Sequence, residues 1–168
     1  MMQDDPALAL SSFTRAVEIT PRASSFSNIG TVHFWNGRFD DARQAYQRAI
    51  ALSGADPSLH RNLGDALTGL GDRAGAERAY RQALSLTSNQ LKVNPKDAAS
   101  LGLAAVVEAK LGRKADARAH ADRAIALAAT SLAACVSGGP SSGPITAPPQ
   151  TGVEGNWLSS DGVAVSRL

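Results

Sequence analysis

The pattern of apolar and polar residues predicts two short amphipathic helices joined by a tight turn across residues 57–86. A near-copy of this stretch lies 34 residues earlier in the chain. The same interval relates Gly64 to Gly30, Leu63 to Ile29, Gly71 to Gly37, Ala76 to Ala42, Tyr80 to Tyr46 and Ala83 to Ala49. A fixed interval over this many positions indicates a repeat protein built from helical hairpins.

Each repeated position has a physical role in such a hairpin. Gly30 and Gly64 allow the first helix to approach the second closely, and the glycines at 37 and 71 fall where the first helix must end. Ala42 and Ala76 are small residues on the inner face of the second helix. We expect Tyr46 and Tyr80, one helical turn later, to fill the space between successive hairpins.

The spacing of these residues resembles the tetratricopeptide repeat. The matching motifs are F-x-x-I-G from Phe26, G-x-x-x-x-A-x-x-x-Y-x-x-A-I from Gly37, and L-G from Leu63 with its own second half. The resemblance covers roughly residues 7–131 and implies an all-α solenoid of antiparallel helical hairpins. It says little about function, because many different functions are built on one fold.

The chain divides on this basis into a half repeat, three hairpins and a tail. The half repeat spans 1–22 and holds only a second helix, the hairpins span 23–56, 57–94 and 95–131, and a Gly/Ser/Pro-rich disordered tail spans 132–168. Near Val163 and Val165 the tail alternates like a strand, but it is too short for us to expect stable structure.

The third hairpin departs from the period of 34. Asn94-Pro95 is predicted to end a lengthened second helix and to cap the next one. Gly112 is the predicted turn glycine and Ala117 a small position on the second helix. Because seven extra residues precede Gly112, either Gly102 or Ala105 can be the close-contact position.

The half repeat carries Leu10, Phe13 and Val17 on a helix whose expected first partner is absent. End repeats of a solenoid usually have a polar outer face, and these residues are apolar. We therefore predict that the chain is a fragment of a longer bacterial protein, or that these three residues form a surface for self-association.

The resemblance places the partner-binding surface on the concave face, which the first helices of the hairpins line. The residues assigned to it are Ser27, Thr31, Phe34, Trp35, Arg61, Asp65 and Thr68. We expect Arg61 and Asp65 to make polar contacts, and Phe34 with Trp35 to provide an apolar anchor for a peptide. The alternative for the two aromatic residues is packing against the preceding helix.

Other kinds of site find little support in the sequence. Asn28 and Asn62 match one element of the carboxylate clamp of chaperone-binding repeats, but Ser27 and Thr31 stand where the clamp needs other side chains. The histidines at 33, 60 and 120 lack metal-ligand spacing, and no phosphate loop or nucleophilic set is present, so we predict no metal, no cofactor and no enzymatic activity. The net charge of +2 is too small to indicate nucleic acid.

The segment Leu132–Cys135 resembles a bacterial lipobox, but it lies far from the N-terminus, where such a signal must act. No apolar run is long enough for a membrane helix, and we expect a cytoplasmic protein. The sequence thus predicts a scaffold that binds a peptide or protein. The alternative is an accessory repeat region of a signalling kinase, regulator or glycosyl-transfer enzyme whose catalytic part is absent here.

Overall fold

A computed structural model of the chain describes residues 6–137 together with 157–158 and 164–165. Residues 6–137 form seven helices, which confirms the predicted all-α array of hairpins. The helices are α1 (Pro6–Ile19), α2 (Ala23–Trp35), α3 (Phe39–Leu52), α4 (Pro57–Gly69), α5 (Arg73–Val93), α6 (Ala98–Lys110) and α7 (Lys114–Ser137). Each of α2 to α6 packs against the helices before and after it in the chain, as expected of a solenoid.

Glycine ends the first helix of every hairpin. Gly37, Gly71 and Gly112 have φ values of 71°, 78° and 76°, in the left-handed region that residues with a Cβ rarely adopt. The amide of Gly71 donates to the carbonyl of Thr68, and the next amide, Asp72, donates to Leu67. These bonds use carbonyls that the helix end leaves free. The predicted role of all three glycines is confirmed.

Aspartate caps three of the helices. The carboxylates of Asp56, Asp72 and Asp97 accept from backbone amides in the first turns of α4, α5 and α6. The prediction that Asn94-Pro95 caps the third hairpin is therefore wrong: Asn94 ends α5, but α6 begins at Ala98 behind Asp97. An Asp side chain at this position supplies the acceptor that the first amides of the helix need.

The structure resolves the register of the third hairpin. Asp56 to Asp97 and Gly71 to Gly112 are both intervals of 41, so Ala105 takes the place of Gly64. A Cβ added to Gly102 would meet nothing within 4 Å, so Gly102 is not a close-contact position. The extra residues lie in the long helix α5 and in the turn that follows it.

Tyrosine rings packed on glycine hold each of the first two hairpins together. A Cβ built on Gly30 would lie 2.6 Å from the ring of Tyr46, and one built on Gly64 would lie 2.5 Å from the ring of Tyr80. Tyr46 also packs with Ala66 of the next hairpin, and Tyr80 packs with Val107. Each ring therefore joins two hairpins, as the sequence predicted.

The C-terminal part of the chain forms a second compact unit from Cys135 onward. Helix α7 continues to Ser137, so the backbone of the lipobox-like segment Leu132–Cys135 is helical. Two short antiparallel strands, β1 (Trp157–Leu158) and β2 (Ala164–Val165), pair Trp157 with Val165. Here the structure differs from the expectation of no ordered structure. The remaining residues of the predicted disordered tail lie outside the described part of the chain.

Candidate functional site

The first helices of two neighbouring hairpins, α2 and α4, form one wall of side chains with a cavity between them. The cavity has a volume of about 190 Å³. We call it the front groove, and its lining residues are Thr31, Phe34, Trp35, Tyr46, Arg61, Asn62 and Asp65. Five of the seven residues predicted for the concave face are among them.

Asp65 is the electrostatic centre of this surface. Its Oδ1 accepts a hydrogen bond from the Tyr80 hydroxyl at 2.7 Å and lies 3.0 Å from Nζ of Lys110. Its Oδ2 lies 3.6 Å from Nη1 of Arg61. Only 16% of the Asp65 side chain is exposed, so the carboxylate is held between a phenol and two cations from three helices.

The two tyrosine hydroxyls differ in their partners. The hydroxyl of Tyr46 lies 3.2 Å from Oγ1 of Thr31, and that of Tyr80 lies 3.2 Å from Oγ1 of Thr68 in addition to its bond with Asp65. Burial raises the pKa of Tyr46, and burial together with the Asp65 carboxylate raises the pKa of Tyr80 to about 12. Both phenols therefore keep their proton at neutral pH, and Tyr80 donates its proton to Asp65.

Aromatic side chains form one end of the front groove. The ring of Phe34 meets those of Trp35 and Phe39 edge to face, at centroid distances of 5.8 and 5.5 Å. Phe34 also packs on the core cluster that contains Ala42 and Tyr46. Trp35 remains 80% exposed. The alternative that both aromatics pack against the preceding helix thus does not describe Trp35, which presents its ring to solvent.

Arg61 is the least satisfied polar group at this site. Its Nε is buried and has no hydrogen-bond partner among the described residues. Its closest charged neighbour is Asp65, whose Oδ1 is already shared by Tyr80 and Lys110. A buried donor without an acceptor costs stability. The Arg61 side chain as a whole is 35% exposed, so a carbonyl or carboxylate oxygen in the groove can still reach its guanidinium.

A second cavity of about 300 Å³ adjoins the first along the same face. It is lined by Thr68, Arg73, Ala76, Glu77, Tyr80, Lys110 and Leu111. Thr68, predicted for the concave face, lies here. Ser27 lines neither cavity, and its carbonyl accepts a hydrogen bond from Thr31 at 3.0 Å.

Two contributions to the site were missed from the sequence. The sequence predicts only packing roles for Tyr46 and Tyr80, although their hydroxyls face the polar residues of the two cavities. The sequence predicts no role for Lys110, because it leaves the register of the third hairpin open. The interval of 41 aligns Lys110 with Gly69 and Trp35, and this was the signal that could have placed it beside the predicted residues.

The other predicted residues lie apart from these grooves. Nε2 of His60 lies 3.0 Å from the carbonyl of Gly54, and Nδ1 of His120 lies 2.8 Å from a carboxylate oxygen of Glu108. On α1, Leu10, Phe13 and Val17 are each partly buried, whereas Leu8 and Ile19 are 66% and 76% exposed. No helix among the described residues is long and apolar enough to cross a membrane.

Stacked helical hairpins define a helical repeat protein of the solenoid class. Two family profiles of the tetratricopeptide repeat match residues 21–86 and 61–131, and the chain belongs to the tetratricopeptide repeat family. No curated protein sequence is significantly similar to it.

Solved structures with the same fold include a thermophilic tetratricopeptide repeat protein of Thermus thermophilus and the protein MamA. The Thermus protein is 24% identical with a TM-score of 0.55, over 73% of this chain and 66% of that one. MamA is 21% identical with a TM-score of 0.50, over 76% and 71% of the two chains. A MamA from Desulfovibrio magneticus is 16% identical with a TM-score of 0.50, over 75% and 68%. At these identities the likeness concerns the fold.

Proposed function

We propose that the chain is a protein-interaction scaffold that binds a peptide segment of a partner in the front groove. The observation that carries the proposal is one cavity lined both by Trp35, which is 80% exposed, and by Arg61, whose side chain is 35% exposed and whose Nε has no acceptor among the described residues. Exposed aromatic and arginine side chains are the residues that most often dominate binding energy.

The charge of the groove indicates which peptides it favours. Asp65 is the one carboxylate lining the front groove, and it already lies near two cations. An acidic partner residue beside Arg61 would balance the second cation, whereas a basic residue would meet like charge. We therefore infer a ligand that carries an apolar or aromatic side chain for Trp35 and Phe34, followed by a carboxylate or carbonyl for Arg61.

We infer that the scaffold works within a larger bacterial chain or assembly, where a region of repeats recruits a partner and does no chemistry itself. Self-association through Leu10, Phe13 and Val17 also stays a prediction.

A phage-displayed library of random peptides, panned on the full chain, tests the proposal. We expect enriched peptides to combine an apolar and an acidic residue, and Trp35→Ala or Arg61→Ala to weaken their binding about tenfold or more in calorimetry. Trp35→Ala removes a side chain that is largely exposed, so loss of folding will not explain its effect.

Arg81→Ala is the matched control, because Arg81 pairs with Glu77 on an exposed face of α5 outside the front groove. The proposal fails if the selected peptides bind Trp35→Ala and Arg61→Ala as tightly as the unchanged chain. It also fails if Arg81→Ala weakens binding as much as they do.

A further inference from the structure

A cavity larger than the two on the front face lies on the other side of α4, away from the front groove. It has a volume of about 550 Å³ and opens between α3 and α5. We call it the rear groove, and its lining residues are Arg43, Gln47, His60, Leu63, Leu67, Leu70, Asp72, Gly75, Arg78, Ala79 and Gln82. At about 100° per residue, the three leucines stand roughly half a turn around the helix from Arg61, Asp65 and Thr68.

The floor of the rear groove is apolar. Leu63, Leu67 and Leu70 follow the i, i+4, i+7 spacing of one helix face. Leu63 and Leu67 also pack on the core clusters beneath them, but Leu70 belongs to neither cluster and is 44% exposed. The floor therefore contains apolar surface that the described residues leave uncovered.

The other two hairpins do not repeat this floor. The positions that correspond to Leu63, Leu67 and Leu70 hold Ile29, His33 and Asn36 in the first hairpin. In the third hairpin they hold Ala104, Glu108 and Leu111. The repeat fold accepts a polar residue at the middle position twice, so three leucines in one line are a property of this groove and not a requirement of the hairpin.

Two arginines line the walls of the rear groove. Arg43 stands on α3 and Arg78 on α5, on opposite sides of the leucine floor. The carboxylate of Asp72, the one acidic residue in the lining, accepts from the amide of Gly75 at the start of α5. Arg43 forms a salt bridge with Asp40, whereas Arg78 has no charged or hydrogen-bonded partner among the described residues. The rear groove thus offers an uncovered apolar floor and an unpaired cation.

We propose that the rear groove binds an acidic amphipathic helix of a partner protein. Apolar side chains of that helix would pack on Leu63, Leu67 and Leu70, and its flanking carboxylates would face Arg43 and Arg78. A groove between two helices with a row of apolar residues along its floor is the setting in which amphipathic helices dock. Because the rear groove is separate from the front groove, one chain can hold two partners at once.

A synthetic helix tests this assignment on the full chain. The probe is a fluorescent amphipathic peptide of about 18 residues, or five turns, with leucines along one face and glutamates on both flanks. The control peptide replaces every glutamate by lysine. We expect saturable binding of the acidic peptide in fluorescence anisotropy and at least about tenfold weaker binding of the basic one.

Two substitutions locate the binding. Leu70→Ser and Arg78→Glu should each weaken the acidic peptide about tenfold, and both change exposed side chains. Leu52→Ser and Arg118→Glu are the matched controls, because both residues are exposed and neither lines the rear groove. In a sample with carbon-13 labelled leucine methyl groups, the peptide should shift the NMR signals of Leu63, Leu67 and Leu70.

Three outcomes would overturn the assignment. The first is no saturable binding of the acidic peptide, and the second is equal binding by Leu70→Ser, Arg78→Glu and their controls. The third is a loss of binding in Trp35→Ala, which would place the peptide in the front groove. That third result would leave the proposed function standing, so the two proposals fail independently.

Discussion

The first and second hairpins share one backbone plan but carry different chemistry on it. Gly30 under Tyr46 and Gly64 under Tyr80 are the same packing device used twice. Between those fixed points, Thr31 of the first hairpin becomes Asp65 in the second, and Trp35 becomes Gly69. The comparison shows that the repeat constrains the small and aromatic residues of the interface, while its outward positions are free to specialise.

The largest expected effect tests whether the packing device is equivalent in the two hairpins. Gly64→Val places branched carbon against the ring of Tyr80 and should lower the free energy of unfolding by about 3 kcal/mol. Gly30→Val should cost a similar amount for the same reason. Chemical denaturation measures both values.

Gly102→Ala is the control for this pair, since a Cβ there meets no atom within 4 Å. We expect it to raise stability by about 0.5 kcal/mol, because alanine restricts the unfolded chain. If both valine variants lose no more unfolding free energy than a variant at an exposed helix position, the tyrosine rings can move aside. If only one of the two losses is large, the packing is not equivalent in the two hairpins.

The tyrosine hydroxyls should contribute different amounts to the stability of the two hairpins. Tyr80→Phe removes a bond to a largely buried carboxylate and should cost about 2 kcal/mol, whereas Tyr46→Phe removes a contact with a neutral threonine and should cost about 1 kcal/mol. Urea denaturation of the two variants gives the comparison. Equal losses of unfolding free energy would mean that the charge of Asp65 does not strengthen the hydrogen bond from Tyr80.

Alkaline pH should weaken the second hairpin through Tyr80. The pKa of Tyr80 is raised from 10.0 to about 12, so the folded state holds a proton that the unfolded state loses first. The stability contributed is fully present below pH 10 and is lost as the pH rises towards 12. Phenolate absorbance in Tyr46→Phe should give a midpoint near 12, and a midpoint at 10 would contradict the burial of this ring.

Acid should weaken the first hairpin through His33, where the second hairpin has Leu67. Burial and the nearby Arg38 lower the pKa of His33 below 6.5, so its contribution is present above pH 6.5 and is lost as the pH falls. We expect the unchanged chain to lose more stability than His33→Leu between neutral and mildly acidic pH. Thermal melts at several pH values measure this loss in both proteins. If their melting temperatures fall equally with pH, His33 does not make the first hairpin sensitive to acid.

The sequence predicted the parts of the structure that depend on local chemistry. Gly37, Gly71 and Gly112 end their helices because of their backbone conformation, and the interval of 34 identified the packing of Tyr46 and Tyr80. Five predicted residues, among them Arg61 and Asp65, lie together in the front groove. They could be predicted because the repeat fixes which face of each first helix they occupy.

What the sequence missed depends on contacts between hairpins. Asn94-Pro95 carries start signals as strong as those of Asp97, but it is Asp97 that accepts from the Ala99 amide, in a turn where Ser100 of α6 donates to Gln90 of α5. Lys110 therefore stayed unassigned until the register was known. The hydrogen bond from Tyr80 to Asp65 joins residues 15 positions apart in the chain. No local sequence pattern predicts which hydroxyl donates to a given carboxylate.

The central claim is that a partner binds the face formed by α2 and α4, and amide NMR tests it most directly. A peptide selected on the full chain would be titrated into the isotope-labelled protein, and the shifts of assigned backbone amides would be followed. The account predicts the largest shifts around Thr31, Trp35, Arg61 and Asp65. Saturable shifts confined to α1 or α7, with these amides unmoved, would contradict it.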